Sequence, residues 1–396
     1  MNAIRFIHAA DIHLDTKFSA LPPGLGDRRR AGLRERFTEL LDRGVAAEVD
    51  FALLAGDLFE HEHVTPDTAS YLAQALEEFG RPVFIAPGNH DPLLTGSPYL
   101  TRSWPANVWI FRERAARAIE DLGVVVHGFG HTTLTPEHNP FHDWTAPRDG
   151  RVHLLVGHGS DLDRVPPGKR TWGPFRKGDL VGRGFAYVAL GHYHRAYEVA
   201  PEDPETRIWY PGSLEARGFD EDGEHGCLFG AIDDDGVAVE RWILDRVRYG
   251  TWALDCREID NSTALAERAA EALALDDDEG RAWIARLRLI GERHPDLAMR
   301  PEALAEALRA RVPALMHLSV RDETLASFDL EGIRREERTT RALFLRAIEE
   351  RLAAAGQASE EASGDASGDA SDERALLAGA RDAGLRALAG RRPLEL

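Results

Sequence analysis

The sequence predicts an α/β fold built in layers, followed by a smaller α/β domain and a helical C-terminal tail. Three observations point there. Short apolar runs rich in β-branched residues recur from residue 4 to about 245, each ending abruptly in Gly, Asp, Asn or His. Segments of helical period lie between several of them, and after residue 245 the texture changes to Ala-, Leu- and Glu-rich helices alternating with strand-like stretches.

In chain order the runs are Ile4 to Ile7, Phe51 to Ala55, Val83 to Ala86, Val124 to Val126, Val152 to Val156 and Tyr187 to Leu190. Their apolarity is continuous rather than alternating, as in strands buried on both faces. Arg30 to Val45 and Thr65 to Phe79 have helical period, and Pro66 stands at the first turn of the second, where a missing N–H costs nothing. The expected catalytic domain spans 1–245. A small domain over 246–330 contains a helix from Ser262 to Leu275 capped by Asn261 or Ser262, a strand over Ala282 to Ile290, a helix over Pro301 to Arg311 and a strand over Ala314 to Val320. A helical extension covers 331–356. Residues 357–373, with the repeat Ala-Ser-Gly-Asp-Ala-Ser-Gly-Asp, read as a disordered acidic linker because they offer too little apolar surface to bury. Residues 374–396 read as a C-terminal helix and candidate partner-binding segment.

The chain has 396 residues, more than one core usually supports, and a formal charge of -19. Such an acidic balance keeps soluble proteins apart and requires any nucleic-acid contact to come from local basic patches, bound cations or a partner. No stretch approaches the roughly 18 apolar residues of a membrane span. Asp11, His13 and Asp15 stand where a signal peptide would be apolar, so the expected location is the cytoplasm, with no membrane association. Cys227 and Cys256 are too few for a disulfide framework or a thiolate metal cage and read as buried thiols.

The chemistry sits at the strand ends. The first run delivers Asp11-Ile12-His13, the second Gly56-Asp57, the third Gly88-Asn89-His90-Asp91, the fifth Gly157-His158 and the sixth Gly191-His192-Tyr193-His194. Carboxylate, amide oxygen and imidazole suit manganese, iron or zinc, and the absence of thiolates argues against a structural zinc site. Seven such donors match two ions that share one carboxylate. Glycine before the ligand in four of the five motifs allows a sharp exit from the strand.

The series Asp-x-His, Gly-Asp, Gly-Asn-His-Asp, Gly-His and Gly-His-x-His resembles the signature of the calcineurin-like metallophosphoesterases over residues 4 to about 235. The opening Phe6 to Asp15, Gly56-Asp57-Leu58-Phe59 and Tyr210-Pro211-Gly212-Ser213-Leu214 are similar to the SbcD/YhaO branch of DNA repair exonucleases. The resemblance implies a β-sandwich flanked by helices, with the 246–330 segment as a capping domain. It assigns one metal ion to Asp11, His13, Asp57 and His194, and a second to Asp57, Asn89, His158 and His192, with Asp57 bridging. Two divalent ions, manganese first with iron or zinc as alternatives, would acidify a water and neutralise phosphoryl charge. The implied activity is a DNA exonuclease acting in repair, with DNA and an SbcC-like coiled-coil ATPase as partners, and a homodimer allowed. The same ligands would serve a phosphodiesterase or phosphatase acting on a small nucleotide or a phosphoprotein. A scaffold without turnover fits poorly with a full ligand set.

His90, beside ligand Asn89, fits the proton donor to the leaving oxygen, in the family and by chemistry. Glu60, three residues after the bridging Asp57, is placed to accept a hydrogen bond from His90 and favour its imidazolium form; some relatives carry histidine or aspartate there. His61 and His63 read as loop histidines. By alternation His8 points away from Asp11 and serves the core or supports a ligand. His127, His131, His138, His142 and His153 fit no ligand spacing, and Asp91 reads as fixing its turn. Two basic patches are candidate DNA contacts: Arg28, Arg29 and Arg30 with Arg34 and Arg36, or else a solvated helix face; and Lys169, Arg170, Arg176 and Lys177 around Trp172 and Phe175, which either meet unpaired bases or pin a long loop.

Overall fold

The structure, a computed structural model, describes residues 3–165, 168, 170–273, 275, 280–294, 297, 300–326, 328, 330–336, 338–361 and 366–388. The chain divides into two compact units, 1–251 with 275–285 and 313–317, and 252–274 with 286–312 and 318–396. The boundary expected near 245 thus falls at 251, and the chain returns twice to the first unit.

In chain order the first unit contains β1 (Ile4–Ala9), α1 (Pro23–Ala46), β2 (Phe51–Leu54), α2 (Pro66–Phe79), β3 (Val83–Ile85), α3 (Pro98–Thr101), β4 (Val108–Ile110), β5 (Ala115–Ile119), β6 (Val124–Gly128), β7 (Val152–His158), β8 (Tyr187–Gly191), β9 (Tyr197–Glu198), β10 (Arg207–Tyr210), β11 (Gly226–Asp233) and β12 (Gly236–Ile243). They form two six-stranded sheets, ordered β12-β11-β1-β2-β3-β4 and β5-β6-β7-β8-β10-β9. Strands β1, β2, β3 and β4 run parallel, as do β6, β7 and β8, so each sheet sends several carboxyl ends in one direction.

The core lies where the sheets face each other. Phe6, Phe51, Leu53 and Phe84 from the first sheet meet Val124, Val126, Leu154, Val156 and Tyr187 from the second, all buried. The period of two sends Ile7 and Ala9 of β1 to the opposite face, where helices α1 and α2 cover them. Helix α1 follows Pro22, opens with Pro23 and buries Leu33, Phe37, Leu40 and Leu41 along one stripe. Full burial of side chains such as Phe37 and Leu40 contributes about 1.5–3 kcal/mol each. Helix α2 begins with Thr65, whose hydroxyl accepts from Thr68 N at 3.1 Å, and stops at Gly80 with φ 67°. Outside the second sheet, Phe129, Phe141, Trp144, Phe175 and Phe185 come from loops and strand ends rather than helices.

Three further strands, β13 (Val247–Asp255), β14 (Ala282–Ile290) and β16 (Leu315–Asp322), make a sheet in the order β13-β14-β16, and β15 (Glu292–Arg293) pairs with β17 (Leu325–Ala326). The second unit includes α4 (Ser262–Leu273), capped by Asn261 through Ala264 N at 2.9 Å, and α5 (Pro301–Arg311). It ends in α6 (Leu330–Arg335), α7 (Thr340–Glu361) and α8 (Ala366–Leu388), which share a cluster of Ile333, Leu345, Ile348, Leu377 and Leu385. Helix therefore occupies 357–361 and 366–373, where the sequence predicts a linker; 362–365 lie outside the described residues. Leu377 and Leu385 are packed in that cluster, and a helix once begun adds further turns without a new nucleation cost. Among the described residues no helix is long and apolar enough to cross a membrane.

Candidate metal centre

All seven predicted ligands gather where the carboxyl ends of the two sheets meet. Asp11 and His13 follow β1, Asp57 follows β2 and Asn89 follows β3; His158 ends β7, and His192 and His194 follow β8. Four of them, Asp11, His13, Asp57 and His192, hold φ values of 53°, 50°, 55° and 120°. Side chains rarely adopt this region, and the strain is held by the surrounding hydrogen bonds. Asp11 N donates to Gly56 O at 3.0 Å and His13 N to Asp57 O at 2.9 Å, locking the first two loops together. Asp91 fixes the third, accepting from Gly88 N at 2.6 Å, Asp57 N at 3.0 Å, Leu58 N at 2.8 Å and the Tyr99 hydroxyl at 2.8 Å. Gly56 has φ 84°, and a Cβ there would come within 2.7 Å of both Gly88 N and His158 Nδ1, so only glycine permits the loops to approach this closely.

Within this frame His13 Nε2 lies 3.7 Å from Asp57 Oδ2 and 4.0 Å from Asp11 Oδ1, and His194 Nε2 lies 4.0 Å from the same Asp11 oxygen. His158 Nε2 is 3.3 Å from Asp57 Oδ2 and 3.1 Å from Asn89 Oδ1, and the His192 ring centroid is 5.3 Å from that of His158. Asp11, His13 and His194 form one group of donor atoms close enough to share an ion, and Asp11, Asp57 and His158 another. The outer nitrogens are already committed. His13 Nδ1 lies 2.8 Å from Glu60 Oε1, His158 Nδ1 2.9 Å from Ala55 O and His194 Nδ1 2.6 Å from Glu221 Oε1, which turns each Nε2 inward.

These residues fit divalent cations. His13 Nε2 is buried and has no hydrogen-bond partner, a condition that costs about 1–3 kcal/mol unless a cation takes the lone pair. Burial and the Arg217 guanidinium push the His13 imidazole down to about 3, and burial with the neighbouring His158 pushes His192 to about 3, so both are neutral as ligands must be. Burial opposes ionisation of Asp57, but His158 beside it holds the carboxyl well below the usual range. Burial raises Asp11, even against His194 and His158. A fully buried carboxyl of this kind gains from a cation.

Glu60 does more than the sequence suggests. Its second oxygen lies 2.8 Å from His90 Nδ1, so one carboxylate holds both a candidate ligand and the candidate acid. Burial would lower the His90 imidazole, but the hydrogen bond to Glu60 and the charge of Asp57 raise it to about 9. Sequence reasoning missed Arg217 and Glu221. Arg217 Nη1 is 3.3 Å from Glu60 Oε1, and its Nη2 is 3.1 Å from His194 Nδ1. Glu221 holds His194 and accepts from Arg217 N at 2.9 Å. The motif Tyr210 to Leu214 immediately before them was the only signal.

The centre opens into a cleft of about 790 Å³ lined by Asp57, His90, His192, His194 and Arg217 among others. Arg170 and Trp172 line it too; Lys169 lies outside the described residues. Arg176 pairs with Asp163 at 2.8 Å and Lys177 with Glu202 at 2.5 Å. The first basic patch does not line this cleft. Arg28 is exposed, Arg30 pairs with Asp27, Arg34 with Asp67 and Arg36 with Glu39. Arg29 corrects the expectation of a DNA contact: it is buried, with Nη1 donating to Glu215 Oε2 at 2.5 Å and Nη2 to Ala216 O at 2.8 Å. It ties α1 to the segment that carries Arg217. His8 is buried against the Tyr187 hydroxyl at 2.9 Å, and His127 and His153 pair with each other at 2.9 Å. Cys227 and Cys256 are buried free thiols.

Residues 4–196 match the family model described as calcineurin-like phosphoesterase. A Bacillus subtilis protein named uncharacterized metallophosphoesterase YhaO is 30% identical over 315 residues, 77% of this chain and 74% of that protein. The chain belongs to the calcineurin-like phosphoesterases. It is a metallophosphoesterase, a hydrolase that works with divalent metal ions. The DNA double-strand break repair protein Mre11 of Saccharolobus solfataricus is 25% identical over 208 residues, and the chain spans about half of its length, 52%. The Mre11 protein of Archaeoglobus fulgidus is 32% identical over 91 residues, 22% of this chain and 19% of that protein.

Proposed function

We propose that this metallophosphoesterase is a DNA nuclease, an exonuclease that hydrolyses phosphodiester bonds at this centre and works in the cytoplasm beside an SbcC-like ATPase. The observation that carries the reading is the His90–Glu60 pair, a proton donor standing in the cleft beside the ligand cluster. Bound divalent ions, manganese in our reading, would supply an acidified water and neutralise phosphoryl charge. The departing sugar oxygen of DNA is a strong base and needs a proton. Glu60 holds His90 by Nδ1, and Nε2, which has no protein partner among the described residues, is left to donate it. Glu60, Glu221 and Asp91 keep the ligand rings and loops in place. Arg217, held between Glu60 and His194, adds a positive charge where a phosphate would arrive.

DNA as the substrate is supported by the relatives named for double-strand break repair. A second reading, a phosphodiesterase or phosphatase for a small nucleotide or phosphoprotein, draws support from Asp220, Glu221 and Asp222 on the cleft, which repel a long polyanion. For the ATPase partner the support is Leu343, Leu376 and Leu388, exposed on α7 and α8. The test is hydrolysis of end-labelled linear DNA with manganese, beside bis-p-nitrophenyl phosphate and an Asp57→Asn control. Cleavage of both substrates that vanishes in the variant supports the nuclease. Turnover of the ester alone, even with the ATPase added, favours the small-substrate reading.

A further inference from the structure

One wall of the cleft has no part in holding metal. After β7 the chain leaves the sheet at Asp161 and returns at Phe175, and both ends of this excursion are fastened. Leu162 N donates to Phe175 O at 2.9 Å, Phe175 N to Ser160 O at 3.0 Å and Trp172 N to the Ser160 hydroxyl at 2.8 Å. Phe175 is buried and packs edge-on to Phe141 at 4.9 Å. The loop is therefore pinned by Phe175 and by backbone. The Trp172 indole is left half-buried on the cleft, with no ring partner among the described residues. Arg170 and Arg195 line the same cleft, are exposed, and have no carboxylate partner among the described residues.

A firm base lies behind them. Tyr193 donates its hydroxyl to Asp161 O at 3.1 Å and Tyr197 to Asp161 Oδ2 at 3.3 Å, and the Tyr197 and Tyr210 rings stack at 4.9 Å. The Arg164 guanidinium lies 4.7 Å over Tyr197. Cations and flat rings thus alternate on fixed supports within the cavity that holds Asp57 and His90, in a chain whose net charge is -19.

We propose that this wall, Trp172 with Arg170, Arg195 and the Arg164–Tyr197 pair, binds an unpaired nucleotide, so that the enzyme takes single-stranded DNA ends in preference to blunt duplex. This rests on the reading of DNA as the substrate. A base can lie flat on an indole only when its face is free, and arginines beside it track the backbone phosphates. A cleft of about 790 Å³ is the size of a small-ligand pocket, suited to one or two nucleotides and too small for a paired helix. A smaller aromatic pinned into the core would leave no such free face.

The test is binding of full-length, metal-loaded protein to a fluorescent phosphorothioate oligothymidylate, which resists hydrolysis, and to a blunt hairpin duplex of equal length. Single strand binds at least tenfold tighter in the native protein. Trp172→Ala loses about tenfold on the single strand, the size expected for one stacked base, while Trp172→Phe keeps most of the affinity. The Arg170→Ala, Arg195→Ala double variant lowers the slope of log affinity against log salt by about 1.4, two phosphate contacts at about 0.7 each. Thermal melting checks that each variant is folded. Equal affinity for both DNA forms, or native-like binding by folded Trp172→Ala, overturns the wall while leaving the nuclease intact. Failure of both forms to bind overturns the wall together with DNA as the substrate.

Discussion

Replacing Glu60 with glutamine tests the proton donor directly. In the native site the two carboxylate oxygens lie 2.8 Å from His13 Nδ1 and 2.8 Å from His90 Nδ1. An amide offers one oxygen for two ring donors and carries no charge, so His90 loses much of what raises it to about 9 and moves toward the ordinary histidine value near 6.5. The donor is the protonated form, present below the pKa and lost as pH rises through it. At pH 8 a group at about 9 is about 90% protonated and one near 6.5 about 3%, so turnover falls by up to about 30-fold at pH 8 and by less than about twofold at pH 6. The assay is kcat on single-stranded DNA between pH 6 and 9, at saturating manganese so that any weakening of the His13 ligand is masked. DNA is required because its alkoxide leaving group needs a proton and a nitrophenolate does not. An alkaline limb that stays in place in Glu60→Gln refutes the pairing as the source of the acid.

Four other outcomes follow from the same geometry. His90→Ala retains its metal, measured by atomic spectroscopy, and loses about 10²–10⁴-fold in kcat on DNA, with a smaller loss on bis-p-nitrophenyl phosphate. His158→Ala removes a donor 3.3 Å from Asp57 and abolishes hydrolysis of both substrates; retained turnover would remove this histidine from the centre. Arg29→Ala strands the buried Glu215 carboxylate and costs about 3–5 kcal/mol in urea unfolding, whereas Arg28→Ala on the exposed side changes stability by about 0.5 kcal/mol or less. Glu221→Gln frees the His194 ring and weakens metal affinity by about 10–100-fold in a calorimetric titration.

The strands that carry ligands were legible because burial on both faces writes them as unbroken apolar runs, and each ends in a residue type with a chemical reason to be there. Strands β11 and β12 escaped notice. In the first sheet β12 lies at the edge with β11 beside it, and β12 alternates exposed and half-buried residues before exposing both Glu240 and Arg241, so that no apolar run reveals it. Helix α1 starts seven residues earlier than its clear pattern, since Gly24, Gly26 and three consecutive arginines hide the first two turns. The fate of Arg29 was nonetheless encoded: it stands four residues before Leu33 and eight before Phe37, on the stripe that faces inward. Arg217 and Glu221 reach the centre only because the chain folds back after β10, a tertiary fact whose one local sign is the Tyr210 to Leu214 motif just before them. The left-handed φ values of Asp11, His13 and Asp57 are equally silent, because neighbouring loops impose them.

The most direct test of the metal centre is the number of manganese ions bound per chain, titrated calorimetrically and counted by atomic spectroscopy for the native protein and for Asp57→Asn. Asp57 Oδ2 lies 3.7 Å from His13 Nε2 and 3.3 Å from His158 Nε2, within reach of one histidine from each of the two predicted ligand sets. Two ions in the native protein, and at most one in the folded variant, are the expected result. A native protein that binds one ion or none, or a variant that binds as many as the native, would contradict a centre built around Asp57.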